Sequence, residues 1–65
     1  MPIIRVEMFE GRSEEQKTGL VRELTDGFVR SCGGNPASVQ VVISEYSPEN
    51  WGSAGTLVSQ KSKGS

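Results

Sequence analysis

The second residue of the chain is the first candidate for chemistry. Initiator methionine is commonly removed when a small residue follows it, and removal of Met1 exposes the secondary amine of Pro2. A free α-amino group titrates at about pH 8, and apolar surroundings or a nearby cation lower its pKa. A base poised near neutral pH can abstract a proton next to a carbonyl group. The alternative, which position alone favours, is that Pro2 merely follows the start codon.

Several common catalytic and metal-binding groups are absent from the 65 residues. The sequence contains no histidine and one cysteine, Cys32. Structural zinc sites, Ser-His-Asp or Cys-His catalysis and an intrachain disulfide are therefore excluded. Cys32 falls on the apolar face of a predicted helix, so we interpret it as a core residue and not as a nucleophile.

The composition also restricts the partners that we expect. Seven Lys and Arg nearly balance eight Asp and Glu, which gives a formal charge of −1. No basic stripe suited to nucleic acid is present. No apolar run approaches the roughly 20 residues of a membrane span, and the N-terminal residues do not resemble a signal peptide. We expect a cytoplasmic protein with a reduced thiol that binds neither nucleic acid nor membrane.

A strand, a helix and a second strand must position the candidate groups. Residues 3–9 alternate with period two and predict a strand. Ser13 and Gln16 form a capping box that begins a helix, whose apolar residues recur at spacings of three and four up to Cys32. Residues 39–44 are rich in β-branched side chains and predict a second strand. The order strand, helix, strand predicts two parallel strands joined by a right-handed crossover.

The remaining segment predicts a small hairpin at residues 51–58 and a frayed polar tail at residues 59–65. Residues 1–65 then form a single domain. Two parallel strands and one helix leave one sheet face and two strand edges open. A domain this small needs additional stabilisation, and without disulfides or metals we expect it from association with further copies.

Four segments, which cover nearly the whole chain, carry a family resemblance. They are residues 2–4, 10–17, 38–45 and 51–55. In order, spacing and chain length, the sequence resembles the 4-oxalocrotonate tautomerase family of the tautomerase superfamily. The resemblance implies an α+β fold, in which a β-α-β unit with a C-terminal hairpin assembles into a hexamer, a trimer of dimers.

The resemblance also implies roles for individual residues. Pro2 would be the general base of a cofactor-independent, metal-free keto–enol tautomerase. Arg12 matches the family arginine that binds a substrate carboxylate, often across a subunit boundary, and Trp51 matches an aromatic residue of the pocket wall. Simpler alternatives are a solvated turn residue for Arg12 and an interface anchor for Trp51.

One position departs from the pattern of the resembled family. The best-known members have a second arginine on the second strand, where this chain has Gln40. Gln40 can donate hydrogen bonds to a substrate but carries no charge. The expected substrate is a small unsaturated 2-hydroxy or 2-oxo acid, similar to 2-hydroxymuconate and drawn from aromatic compound degradation, or an acid with only one carboxylate.

Two other functions remain as alternatives. Related branches of the superfamily hydrate or dehalogenate unsaturated acids, but residues 50–56 contain no carboxylate that could activate water. The chain can also be a low-activity subunit of a hetero-hexamer, in which a second type of chain supplies the missing arginine. Glu7 and Tyr46 are weaker candidates, Glu7 for proton movement and Tyr46 for a pocket or an interface.

Overall fold

The computed structural model describes residues 1–61 and contains the predicted strand, helix and strand in that order. Its elements are β1 (Ile3–Phe9), α1 (Glu14–Cys32), β2 (Gln40–Tyr46), β3 (Gly52–Ser53), β4 (Thr56–Leu57) and α2 (Val58–Lys61), with single 3₁₀ turns at Pro36–Ser38 and Pro48–Asn50. Strand β2 begins one residue later and ends two residues later than predicted. No helix in the described residues is both long enough and apolar enough to cross a membrane.

The pairing of the strands confirms the predicted β-α-β unit. β1 and β2 are parallel, in a register that places Ile3 beside Gln40 and Phe9 beside Tyr46. β3 and β4 form a separate antiparallel hairpin. Its two turn residues, Ala54 and Gly55, have φ angles of 53° and 82°. Positive φ at both positions is the geometry of a type I′ turn, whose twist matches that of the hairpin strands.

Helix α1 begins and ends where the sequence predicts. The Ser13 side chain accepts a hydrogen bond from the Gln16 backbone at 3.1 Å, and the Gln16 side chain accepts one from the Ser13 backbone at 2.9 Å. Gly33, at φ 80°, ends the helix by donating a hydrogen bond to the Val29 carbonyl. An ion pair of 3.0 Å between Lys17 and Glu45 joins the helix to β2.

The core position predicted for Cys32 is wrong for the single chain, because the thiol is exposed. Cys32 lies in the last turn of α1, and the glycines after it, Gly33 and Gly34, have no side chains to cover it. Three residues of the predicted frayed tail, 59–61, form α2 together with Val58, whose backbone donates a hydrogen bond to the Trp51 carbonyl. Residues 62–65 of that tail lie outside the described residues.

The two faces of the sheet differ in what covers them. Ile4, Val6 and Met8 of β1 are half-buried beneath α1, while the residues between them, Ile3, Arg5 and Glu7, are exposed on the opposite face. The alternation predicted for this strand is therefore confirmed. Ile3 remains 56% exposed, and Val42 of β2, on the same open face, remains 41% exposed.

The described residues contain no fully buried side chain, either apolar or polar. The Cα radius of gyration is 15.4 Å, whereas a compact chain of this length would have about 11 Å. One helix on one side of a two-stranded sheet forms only half of a layered core. The single chain therefore contains only one half of such a core.

Replacement of the helix N-cap tests how strongly local sequence fixes this fold. We expect Ser13→Ala to lower the free energy of unfolding by about 1 kcal/mol, because a backbone N–H of the first helical turn loses its acceptor. Ser13→Asp retains an acceptor and should be close to wild type. Urea denaturation at one fixed protein concentration measures both variants. Equal losses from alanine and aspartate would contradict a capping role.

Candidate active site

Pro2 and Gln40 lie together at the beginning of the sheet. The Gln40 backbone donates a hydrogen bond of 3.0 Å to the Pro2 carbonyl, which joins the start of β2 to the residue just before β1. Pro2 is half-buried, and Gln40 is exposed. The Gln40 side-chain amide approaches the Met1 sulfur at 3.5 Å, while Met1 itself is 84% exposed. Met1, Pro2 and Gln40 therefore lie together at this end of the sheet.

Arg12 lies at the other end of β1, in the short connection to α1. The connection leaves the sheet at Glu10, whose backbone donates a 2.9 Å hydrogen bond to the Tyr46 carbonyl, and turns at Gly11, which has a φ of 121°. Arg12 directly precedes the N-cap Ser13 and is exposed. No ion pair to Arg12 is present within the described residues, so its guanidinium is available to an anion.

Trp51 packs into an aromatic cluster near the same end of the sheet as Arg12. Its ring centroid lies 4.7 Å from that of Phe9 and 5.7 Å from that of Tyr46, in tilted and edge-on arrangements. These are the geometries that aromatic pairs prefer. Beside the cluster lies an open cavity of about 230 Å³, lined by Glu7, Tyr46, Asn50, Trp51 and Gly52.

The predicted site residues therefore form two groups in the single chain. Pro2 and Gln40 lie where the two strands begin, and Arg12 and Trp51 lie beyond the ends of the strands. The seven residues of β1 separate the two groups by about 23 Å at 3.3 Å per residue. One small acid cannot contact Pro2 and Arg12 of the same chain, so a shared site requires more than one copy.

Sequence reasoning missed two contributors to the aromatic end of the sheet. Phe9 supports Trp51, and Asn50 lines the cavity, but neither was a predicted site residue. Phe9 did carry a signal, because it breaks the polar alternation of its strand face. The sequence left two roles possible for Tyr46, in a pocket or at an interface. In the single chain Tyr46 lines the cavity, and so does Glu7.

Comparisons with known proteins agree on one family. The model of a family described as tautomerase enzyme matches residues 2–61. A probable tautomerase from Staphylococcus aureus strain Mu50 is 43% identical over 61 residues, which cover 94% of this chain and all of that protein.

Solved structures agree with the sequence relatives. A 4-oxalocrotonate tautomerase isozyme from Methylibium petroleiphilum superimposes with a TM-score of 0.93 at 31% identity, over 98% of this chain and 100% of that one. A heterohexamer 4-oxalocrotonate tautomerase from Chloroflexus aurantiacus gives a TM-score of 0.86 at 33% identity, over 92% of this chain and 97% of that one.

The aromatic cluster can be tested with Trp51 as a reporter, since it is the one tryptophan in the sequence. We expect Phe9→Leu to shift Trp51 fluorescence to longer wavelength, because the indole loses the ring beside it and gains water contact. The lost ring pair should also cost about 1 kcal/mol of unfolding free energy. Tyr46→Phe keeps the ring and should leave the emission unchanged. An unshifted spectrum in Phe9→Leu would show that this ring does not shield Trp51.

Proposed function

The chain belongs to the tautomerase family, and from that premise we propose that it is a cofactor-independent keto–enol tautomerase, an isomerase, with Pro2 as its general base. Its substrate is a small unsaturated 2-hydroxy or 2-oxo acid, similar to 2-hydroxymuconate. The observation that carries the proposal is the placement of Pro2, half-buried at the start of the sheet behind a Met1 that is 84% exposed.

The proposed reaction moves one proton and leaves the composition of the substrate unchanged. With Met1 attached, the Pro2 nitrogen is a tertiary amide and has no basic lone pair. After Met1 is removed, the free amine takes the proton of the enol hydroxyl, and the hydroxyl oxygen becomes the carbonyl oxygen. The same proton is then returned to a carbon of the conjugated chain. A base near neutral pKa performs both transfers efficiently.

Arg12 is the proposed anchor for the substrate carboxylate. A guanidinium can hold a carboxylate through two parallel hydrogen bonds, which fixes both position and orientation. Because Arg12 and Pro2 of one chain lie about 23 Å apart along β1, the Arg12 that acts with a given Pro2 comes from another copy. Trp51 would form an apolar wall of the pocket. We propose a homo-hexamer, a trimer of dimers, as the active assembly.

Gln40 determines which acids suit the site best. As an uncharged donor, it can bind a carbonyl or hydroxyl oxygen of the substrate. An arginine at this position would stabilise a second carboxylate or a developing oxyanion more strongly. The difference in transition-state stabilisation is about 2–4 kcal/mol. We therefore propose that the enzyme prefers acids with one carboxylate, such as an aryl enolpyruvate, to dicarboxylates.

The same residue supports a second candidate, a subunit of a mixed hexamer in which another chain supplies an arginine. The Chloroflexus aurantiacus relative is itself a heterohexamer. Native mass spectrometry of the complex isolated from its source distinguishes one chain type from two.

Hydration or dehalogenation of unsaturated acids is less well supported, because residues 50–56 carry no carboxylate. Halide release from 3-haloacrylates, measured beside ketonisation, tests it directly.

The base assignment predicts the effect of removing the proline. We expect Pro2→Ala to lower kcat/KM for ketonisation of phenylenolpyruvate by about 100-fold, the smaller end of the usual contribution of a positioned base. Intact mass must first confirm that Met1 is absent from both proteins. Pro36→Ala, at an exposed turn proline, is the matched control and should retain activity. A Pro2→Ala enzyme as fast as wild type would rule out Pro2 as the base.

The role given to Gln40 predicts a change in substrate preference. We expect Gln40→Arg to raise the ratio of kcat/KM for 2-hydroxymuconate over phenylenolpyruvate by about 30-fold or more, since the added charge stabilises the second carboxylate and the dienolate. Gln60→Arg adds the same charge on α2 and should not alter the ratio. An unchanged ratio in Gln40→Arg would place residue 40 outside the substrate site.

A further inference from the structure

The cavity beside the aromatic cluster has a carboxylate in its wall. Of the residues that line this space of about 230 Å³, Glu7 is the one with a formal charge. Its side chain lies on the face of β1 that α1 leaves open. Tyr46 lies on the same face, because it is beside Phe9 in the register of the two strands. The sheet therefore presents an acidic group and an aromatic ring to the same cavity.

The charge of Glu7 is not neutralised within the chain. No ion pair to Glu7 is present in residues 1–61. Arg5 lies two residues earlier on the same face, about 6.6 Å along the strand, and does not bind this carboxylate. By contrast, the carboxylate of β2, Glu45, is bound to Lys17 at 3.0 Å. The cavity thus keeps a formal negative charge that is available to a ligand.

The other walls of the cavity are suited to a cation as well. The rings of Tyr46 and Trp51 are inclined by 69°, with centroids 5.7 Å apart, so they bound the cavity in two different orientations. The face of an aromatic ring attracts a cation within about 6 Å of its centroid. Asn50 adds a side-chain carbonyl that can accept a hydrogen bond from an N–H group.

We propose that this cavity binds a positively charged group at the far end of the substrate, a protonated amine or a guanidinium. The inference rests on the proposed function, in which Arg12 holds the substrate carboxylate and Trp51 forms a wall of the pocket. Trp51 also lines this cavity, which makes the cavity a continuation of that pocket. Its volume of about 230 Å³ is below the roughly 300–1,000 Å³ of a pocket for a whole ligand, as expected for one end of a substrate.

The charge of the cavity distinguishes three kinds of substrate end. A second carboxylate would be repelled by the negative charge of Glu7. A neutral apolar end would displace water from Glu7 without replacing its hydrogen bonds, which is costly for a charged group. An ammonium or guanidinium group would pair with the carboxylate and lie against the aromatic rings. The lining residues therefore favour a cationic end over both alternatives.

Gln40 supports the same order of preference from the opposite end of the sheet. A dicarboxylate is best held by a positive group at each of its ends, and Gln40 carries no charge. Glu7 adds a negative charge at the cavity. Two separate positions thus disfavour a substrate with two negative ends, and only the second of them favours a positive one.

Binding of a cation can be measured without any reaction, because Trp51 is the one tryptophan of the chain. In the assembled protein after Met1 removal, benzylammonium should change Trp51 fluorescence saturably. Its apparent Kd should be about 10-fold lower than that of neutral benzyl alcohol at the same ionic strength. Glu7→Gln should remove this difference, and Glu7→Asp, which keeps the charge, should retain most of it. Equal affinities in wild type, or no saturable response to benzylammonium, would overturn the inference.

Substrate preference tests the same cavity during the reaction. Phenylenolpyruvates with a 4-aminomethyl or a 4-ethyl substituent have similar size and differ in charge. Wild type should have a kcat/KM about 10-fold higher for the aminomethyl acid. The gain should lie mainly in KM, because the far end is bound equally in the ground and transition states.

Variants at two glutamates assign that preference. Glu7→Gln should bring the ratio of the two kcat/KM values close to one, and Glu7→Asp should restore most of it. Glu49→Gln is the matched control, because Glu49 is exposed on the neighbouring turn and does not line the cavity. It should keep the wild-type ratio. A Glu7→Gln enzyme with the wild-type ratio would show that Glu7 does not select the substrate.

The two measurements separate this inference from the proposed activity. A protein that binds benzylammonium through Glu7 but ketonises no acid would retain the cation site and lose the proposed function. A protein that ketonises both acids equally well and binds both probes with equal affinity would retain the function and lose the cation site.

Discussion

The structure depends on one constraint: a single helix can cover only one face of a two-stranded sheet. α1 covers the face formed by Ile4, Val6 and Met8, and the opposite face and both outer edges remain open. No side chain in residues 1–61 is fully buried as a result. Hydrophobic burial is the dominant favourable term in folding. The single chain therefore leaves its hydrophobic burial incomplete, which is why we propose association with other copies.

The same constraint explains how the candidate site is distributed. In a parallel pair of strands, the residues before each strand lie at one end of the sheet and the residues after each strand lie at the other. Pro2 and Arg12 are therefore separated by the whole of β1. No local rearrangement can close a gap of about 23 Å across a hydrogen-bonded strand. The proposed association of several copies would supply both the missing core and the missing proximity, and the proposed activity would then be a property of the assembly.

The side chains of Gln40 and Trp51 bear on which acids the proposed assembly would bind. The Gln40 backbone bonds to the Pro2 carbonyl and its side-chain amide approaches the Met1 sulfur, so residue 40 lies at the same end of the sheet as the proposed base. Trp51 packs against Phe9 and Tyr46, and the rings of Tyr46 and Trp51 form an aromatic wall of the cavity. Under the proposed function, an uncharged amide at one end and an aromatic wall at the other would suit an acid with a single carboxylate and an apolar body.

Those elements that depend on a few adjacent residues could be predicted from the amino-acid sequence. The alternation of residues 3–9, the capping box at Ser13, the glycines after Cys32 and the hairpin after Trp51 were all predictable, because each depends on a few adjacent residues. Family resemblance further indicated Pro2 and Arg12 as site residues. Tertiary structure alone decided that Cys32 is exposed, that Phe9 and Asn50 adjoin the aromatic site, and that Pro2 lies with Gln40 but far from Arg12. These outcomes depend on which residues meet across strands distant in sequence, and no local pattern of residues encodes that.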